Sequence, residues 1–305
     1  MRRPTFRVLF LAVLAACPIC NAGGVAATED ASARAPTVPF SRGLLWKIEY
    51  PGARASYLFG TLHSDDERVV AMPGPVRRAF VGSRSFALEM LNDEASTRKF
   101  RAAMVTREPL LRGQLGDELY PRVEELLGEH GIPRDVRARM RPWSALLVLL
   151  QPREAPGIIQ DNLLKLEAAE RGMRIHQLET VEEQIAAFQE LPEATGVVLL
   201  RHAQSRYWLI QDSIRPVVHA YLERDLGAMW RINADVMEGG PAVERENAQF
   251  LEAVLYSRNR RFAERLVPLL REGGVFAAVG ALHLYGARGV PSLLQKGGFR
   301  VTRVY

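Results

Sequence analysis

A short apolar strand running into Gly-x-Leu-His occurs twice in this chain, once near each end, and it constrains the fold more than any other stretch. Ala55-Ser56-Tyr57-Leu58-Phe59 leads into Gly60-Thr61-Leu62-His63, and Val275-Phe276-Ala277-Ala278-Val279 leads into Gly280-Ala281-Leu282-His283. In open α/β sheets, ligands and reacting groups gather outside the carboxyl ends of strands, where glycine allows a tight turn and a close backbone approach. Gly60 and Gly280 occupy those turn positions, so His63 and His283 are expected to face one pocket built from both ends of the chain. The competing reading is a pair of strand-end histidines satisfied by backbone groups. The shared preceding strand and the shared leucine favour the pocket.

The intervening chain supplies more of the sheet and a large helical mass. Gly43 to Tyr50 alternates as a strand, and Pro51-Gly52 is a turn signal, so the domain opens with a hairpin. Ser85 to Met90 is a third strand ending on Glu89. A carboxylate closing an apolar run must be solvated, paired or metal-bound, which makes Glu89 either the first exposed residue or a site residue. Asn92 to about Arg171 is helical, divided by prolines, and the apolar stretch Trp143 to Leu150 is its core helix. His130, beside Glu129 at a helix end, sits where a cation is favoured. Met173 to Glu179 alternates like a strand rejoining the sheet, and Thr180-Val181-Glu182-Glu183 matches a capping box. A second helical block spans about 193–271, with His202 and His219 on one long amphipathic helix as surface or packing residues. A strand to His283, a helix from Pro291 to Lys296 and a strand from Phe299 to Tyr305 close the chain. The expected fold is α/β (α+β): a central mixed sheet built from N- and C-terminal strands, spanning 41–305, with a helical insertion over about 92–271.

Residues 1–22 have the anatomy of a secretory signal: Arg2, Arg3 and Arg7, then an apolar run from Val8 to Ala16 that is too short to span a bilayer. Leu14-Ala15-Ala16-Cys17 resembles a lipoprotein box, with Asn21-Ala22 or Val25-Ala26-Ala27 as ordinary cleavage sites. Either route predicts export to the periplasm or cell envelope, with a lipid anchor if Cys17 is used, and 23–40 then serves as a linker. Cys17 and Cys20 are the only cysteines, so the body has no internal disulfide, cysteine-ligated zinc or thiol nucleophile. The net charge of +5 arises from 40 basic and 35 acidic residues spread without long runs or interleaved aromatics, which excludes a nucleic-acid partner.

Taken as an ensemble, several pieces resemble the TraB/GumN family, related to the Tiki-type metalloproteases. They are Leu45-Trp46-Lys47-Ile48, Tyr57 to His63, Leu88-Glu89-Met90, Leu178-Glu179-Thr180 with Glu183-Gln184, Arg258-Asn259, Ala278 to Val290, and Gly297-Gly298-Phe299. The resemblance implies an α/β fold in which two Gly-x-x-His motifs and a glutamate form the active site. It also implies a divalent metal, manganese or cobalt with zinc as a third choice, supporting peptide hydrolysis. Carried over residue by residue, the metal ligands are His63, Glu89 and His283, with Glu89, Arg258 and Asn259 as catalytic or supporting groups. The family's Gly-hydrophobic-Asp step has Gly157-Ile158-Ile159-Gln160-Asp161 as its nearest match here, and nothing is carried over at Asp161. Two imidazoles and one carboxylate leave coordination positions open for water and a carbonyl, with Arg258 or Asn259 placed to stabilise an oxyanion. The expectation is an exported metal-dependent hydrolase of a peptide or other small substrate. The alternative is a cell-envelope protein that binds a peptide, polysaccharide fragment or haem-like ligand without turnover.

Overall fold

Two strands joined through Pro51-Gly52 begin the sheet. β1 (Leu45–Glu49) and β2 (Ser56–Thr61) pair antiparallel, with Leu45 opposite Phe59 and Ile48 opposite Ser56. Gly52 turns the hairpin at φ 77°, a conformation that glycine adopts without strain. This computed structural model describes residues 38–154 and 156–305, so the signal segment, Cys17 and most of the linker lie outside the described residues.

Helices α1 (Glu67–Val70) and α2 (Gly74–Val81) lead to β3 (Ser85–Leu88). The helical block follows as α3 (Glu94–Ala103), α4 (Leu110–Glu129), α5 (Arg134–Arg137), α6 (Pro142–Leu149) and α7 (Gln160–Glu170). The chain returns to the sheet as β4 (Arg174–Gln177) and leaves it again through α8 (Val181–Gln189), α9 (Glu193–Ser205), α10 (Tyr207–Leu222), α11 (Leu226–Met237) and α12 (Pro241–Leu251). A π-helical turn, Glu252–Tyr256, runs into α13 (Ser257–Glu272). The close is β5 (Val275–Gly280), a 3₁₀ turn at Ala281–Leu284, α14 (Val290–Lys296) and β6 (Arg300–Arg303).

Among the described residues the six strands form one mixed sheet in the order β4-β3-β5-β2-β1-β6. β4, β3, β5 and β2 are mutually parallel, whereas β1 is antiparallel to β2 and β6. The fold is α/β, and strands from both ends of the chain interleave at its centre, with β4 added at one edge. Every residue of β5 is buried, as a parallel strand covered on both faces requires.

Apolar side chains divide into two cores. Phe80 meets Phe276 edge-on at 5.2 Å beneath the sheet, beside Phe59 and Phe86. In the helical block, Trp143 stacks on Phe188 at 5.0 Å among Leu146, Leu199 and Leu200. Burial of each such side chain contributes roughly 1.5–3 kcal/mol. The capping box opens α8: Thr180 Oγ1 accepts from Glu183 N at 3.2 Å and Glu183 Oε2 accepts from Thr180 N at 2.8 Å.

Two local expectations change. The long helix expected to carry His202 and His219 is broken at Arg206, where φ −109° and ψ 17° separate α9 from α10. His130 does follow the last turn of α4, but burial, with Arg153 nearby, pushes its pKa down to about 4, so desolvation outweighs the helix end. It meets the Tyr207 hydroxyl at 2.9 Å. No helix among the described residues is long and apolar enough to cross a membrane.

Candidate functional site

Four adjacent parallel strands open their carboxyl ends onto one edge of the sheet, and each delivers a polar side chain there. His63 follows β2, His283 follows β5, Glu89 follows β3 and Glu179 follows β4. The register holds them level: Thr61 lies opposite Gly280, and Leu88 lies opposite both Ala278 and Gln177. Gly60 is required for this approach. A Cβ there would lie 2.7 Å from Leu284 Cδ1 and 3.0 Å from Ala281 Cα, so the two motifs could not pack as they do. Gly280 has an ordinary φ of −53° and contributes differently, by donating its N–H to Glu89 Oε1 at 2.7 Å.

His283 is buried and fixed in one tautomer. Asn259 Nδ2 donates to Arg288 O at 2.9 Å, which turns Asn259 Oδ1 toward His283 Nδ1 at 2.5 Å. Nδ1 therefore carries the proton and Nε2 presents a lone pair, 3.5 Å from Glu89 Oε1. Burial lowers the His283 pKa to about 4 against the pull of Glu89, with Arg258 and His63 adding to the drop, so the ring is neutral near pH 7.

Arg258, projecting from α13, ties the glutamates together. Its Nε donates to Glu179 at 3.0 and 3.1 Å, its Nη2 bonds Glu179 again and donates to Glu89 Oε2 at 2.8 Å, and its Nη1 donates to Val254 O at 3.2 Å. Val254 belongs to the π-helical turn, a departure from α geometry often found at functional sites. Arg261 reaches Glu179 at 3.1 Å. Burial alone would raise the pKa of Glu89, but Arg258, His283 and the Gly280 N–H outweigh it and hold it at about 2. All of these Arg258 and Asn259 contacts go to protein partners. In this geometry the two residues position Glu89 and His283; they do not point donors at a substrate oxyanion.

His63 Nε2 lies 3.6 Å from Oδ2 of Asp161, a residue in the first turn of α7. Asp161 Oδ1 accepts from Thr61 Oγ1 at 2.8 Å. Burial raises the Asp161 pKa, with His63 and Thr61 opposing. The structure thus brings His63, Glu89, His283, Arg258 and Asn259 to one sheet edge and adds two carboxylates, Asp161 and Glu179. Glu179 had a signal of the same kind as Glu89, a carboxylate just past a strand. Asp161 had only the imperfect Gly-hydrophobic-Asp match Gly157 to Asp161, and its partner Thr61 is 100 residues away in sequence.

His63, Glu89 and Asp161 line a small cavity of about 30 Å³ with Asn162 and Lys165. His63 also lines a larger cavity of about 420 Å³, walled by Leu150, Val217, Val218, Met229 and Leu282. As they stand, no three His, Cys, Asp or Glu side chains among the described residues are grouped to hold a metal ion. The donor chemistry nevertheless fits a divalent cation: two imidazoles, two carboxylates, and an Asp161 Oδ2 that is buried without a hydrogen-bond partner among the described residues.

The chain has distant relatives. The chain is 24% identical over 259 residues to the uncharacterized protein YbaP of Shigella flexneri, covering 81% of this chain and 90% of YbaP. It is 23% identical over the same length to the YbaP of Escherichia coli K12, with the same coverage. No solved structure matches. The TraB/PrgY/gumN family profile spans residues 44–303, from the start of the β1–β2 hairpin to the end of β6, and includes every side chain described at the site. On that span, the chain belongs to the TraB/PrgY/gumN family.

Proposed function

We propose that this protein is an exported metal-dependent hydrolase of a peptide or amide bond. The observation that carries the reading is the orientation of His283: a buried neutral imidazole turns its Nε2 lone pair toward the carboxylate of Glu89 at 3.5 Å. Arg258 offsets part of the repulsion between these two electron-rich groups, and a cation drawn to Glu89 Oε1 and His283 Nε2 would offset the rest. His63 enters the same edge from the neighbouring parallel strand, so His63, His283 and Glu89 would hold the metal. When bound there, a divalent ion, manganese or cobalt before zinc, would supply a water of lowered pKa and a Lewis acid for a carbonyl. The chain's own residues do the rest. Asn259 keeps Nδ1–H engaged so that Nε2 faces the site, and Arg258 holds Glu89 ionised and fixed. The larger cavity beside His63, about 420 Å³, is within the range that binds small ligands, and its apolar wall would exclude water from a substrate group. The export half of the proposal rests on residues 1–22.

One observation favours the second reading, an envelope protein that binds a ligand without turnover. Arg258 Nη1 lies 3.5 Å from His283 Nε2, a cation close to where the metal would sit. Metal content and melting temperature after chelator dialysis and re-addition of manganese, cobalt or zinc separate the two. The hydrolase is expected to take up about one equivalent and melt higher, the His63→Ala/His283→Ala protein to do neither, and a peptide library to be cleaved by the wild type alone. Indifference of the wild type to all three metals would leave the binding reading in its place.

A further inference from the structure

We infer that Asp161 is a fourth ligand of the cation held by His63, Glu89 and His283. This rests on the metal-site reading above and assigns a role to Asp161, the end of the imperfect Gly-hydrophobic-Asp match from which nothing was carried over. Three independent features of Asp161 converge. Its Oδ1 is anchored by Thr61 Oγ1 at 2.8 Å, and Thr61 is the last residue of the strand that delivers His63. Its Oδ2 is buried, has no hydrogen-bond partner among the described residues, and lies 3.6 Å from His63 Nε2. Its side chain lines, with His63 and Glu89, a cavity of about 30 Å³. A space of roughly 10–15 Å³ on this measure holds one water, so the cavity has room for one ion or water.

Side-chain bonds tie the start of α7 to its neighbours. Tyr221 donates its hydroxyl to Gly60 O at 2.9 Å and lies 3.0 Å from Gln160 Oε1 at the start of the same helix, while Gln160 Nε2 donates to Val69 O at 2.8 Å. The carboxylate is thus held from a fixed helix start and by the Thr61 hydroxyl on Oδ1, with Oδ2 left facing the cavity. A fixed, buried oxygen without a donor destabilises the metal-free protein. That arrangement makes sense if a cation completes it. The competing role is a plain ion pair between Asp161 and His63, and the two roles predict opposite effects in the metal-free protein.

The test is calorimetric titration of the chelator-treated protein with manganese(II) alone, comparing wild type, Asp161→Asn and His283→Ala, alongside metal-free melting temperatures. Asparagine keeps an Oδ1 for Thr61 and places an N–H donor where the orphan oxygen was. Asp161→Asn is expected to bind manganese about tenfold or more weakly, and to melt no lower than wild type when metal-free. Wild-type affinity in Asp161→Asn, with a lower metal-free melting temperature, would make Asp161 a structural partner of His63 and overturn the assignment. If the wild type itself takes up no manganese, cobalt or zinc, both this assignment and the metal-site reading fall. Should Asp161→Asn fail to fold, Thr61→Val leaves the carboxylate in place without its anchor. Manganese affinity is then expected to drop several-fold, and an unchanged affinity would overturn the proposal.

Discussion

At the scale of single residues, the site is a chain of fixed orientations that ends at a lone pair. Arg288 O fixes the Asn259 amide, Asn259 fixes the His283 tautomer, and His283 Nε2 faces Glu89. Asn259→Ala releases Nδ1, so the ring no longer has a preferred nitrogen for the site. Manganese affinity is expected to fall about 10- to 100-fold, as for loss of other groups that orient a ligating histidine, and titration of the variant reads it directly. Glu179 acts on the other side, fully buried against an equally buried Arg258. Removing it leaves a guanidinium with one carboxylate fewer and no access to water. Glu179→Ala should therefore lose about 3–5 kcal/mol in urea unfolding, and a loss below 1 kcal/mol would mean that Glu89 or water takes over the guanidinium. His63 and His283 were legible because each follows its own strand within a few residues. Glu179 and Asp161 take their meaning from Arg258 and Thr61, 79 and 100 residues away, and no local pattern encodes such pairs.

At the scale of elements, packing decided two matters that local rules left open or answered wrongly. The Gly-x-Leu-His phrase predicts turns at both glycines, but their reasons differ. Gly60 is set by the 3₁₀ turn pressed against it, whereas Gly280 serves through its N–H. Gly60→Ala would force Leu284 and the Ala281 backbone apart, and differential scanning calorimetry is expected to show a loss of about 1–3 kcal/mol, together with weaker metal uptake because the two histidines separate. The end of α4 is the second case. A helix terminus favours a protonated His130, yet burial and Arg153 hold it neutral, with a folded pKa near 4 against an ordinary 6.5. A histidine whose pKa falls on folding contributes fully above 6.5 and loses that contribution as pH drops toward 4, because only the unfolded chain takes the proton. By pH 5 this amounts to at most about 2 kcal/mol. Stability curves should thus fall between pH 7 and pH 5, and His130→Gln should flatten that fall even if it lowers stability at pH 7.

At the scale of the whole molecule, the helical insertion does more than cover the sheet. The mixed sheet was foreseeable because its central strands carry repeated apolar patterns at both ends of the chain. The insertion's contribution was not, since the large cavity is walled by the end of α6, by α10 and α11, and by the 3₁₀ turn after β5, segments that meet only in the folded chain. Val217, Val218, Met229 and His63 all line the cavity, so a substrate group seated there would lie beside the sheet edge that carries His63. Val218 is only partly buried, so volume can be added there with less damage to the core than at buried Val217 or Met229. Val218→Trp is expected to fill much of the cavity while leaving His63, Glu89 and His283 untouched. Its manganese affinity should equal that of the wild type. For peptides with a large apolar side chain next to the cleaved bond, KM should rise by about tenfold, the scale of one or two lost apolar groups, while peptides with alanine there keep their kcat/KM. A uniform fall for every peptide would instead place the substrate elsewhere on the sheet edge and leave the cavity without a part in specificity.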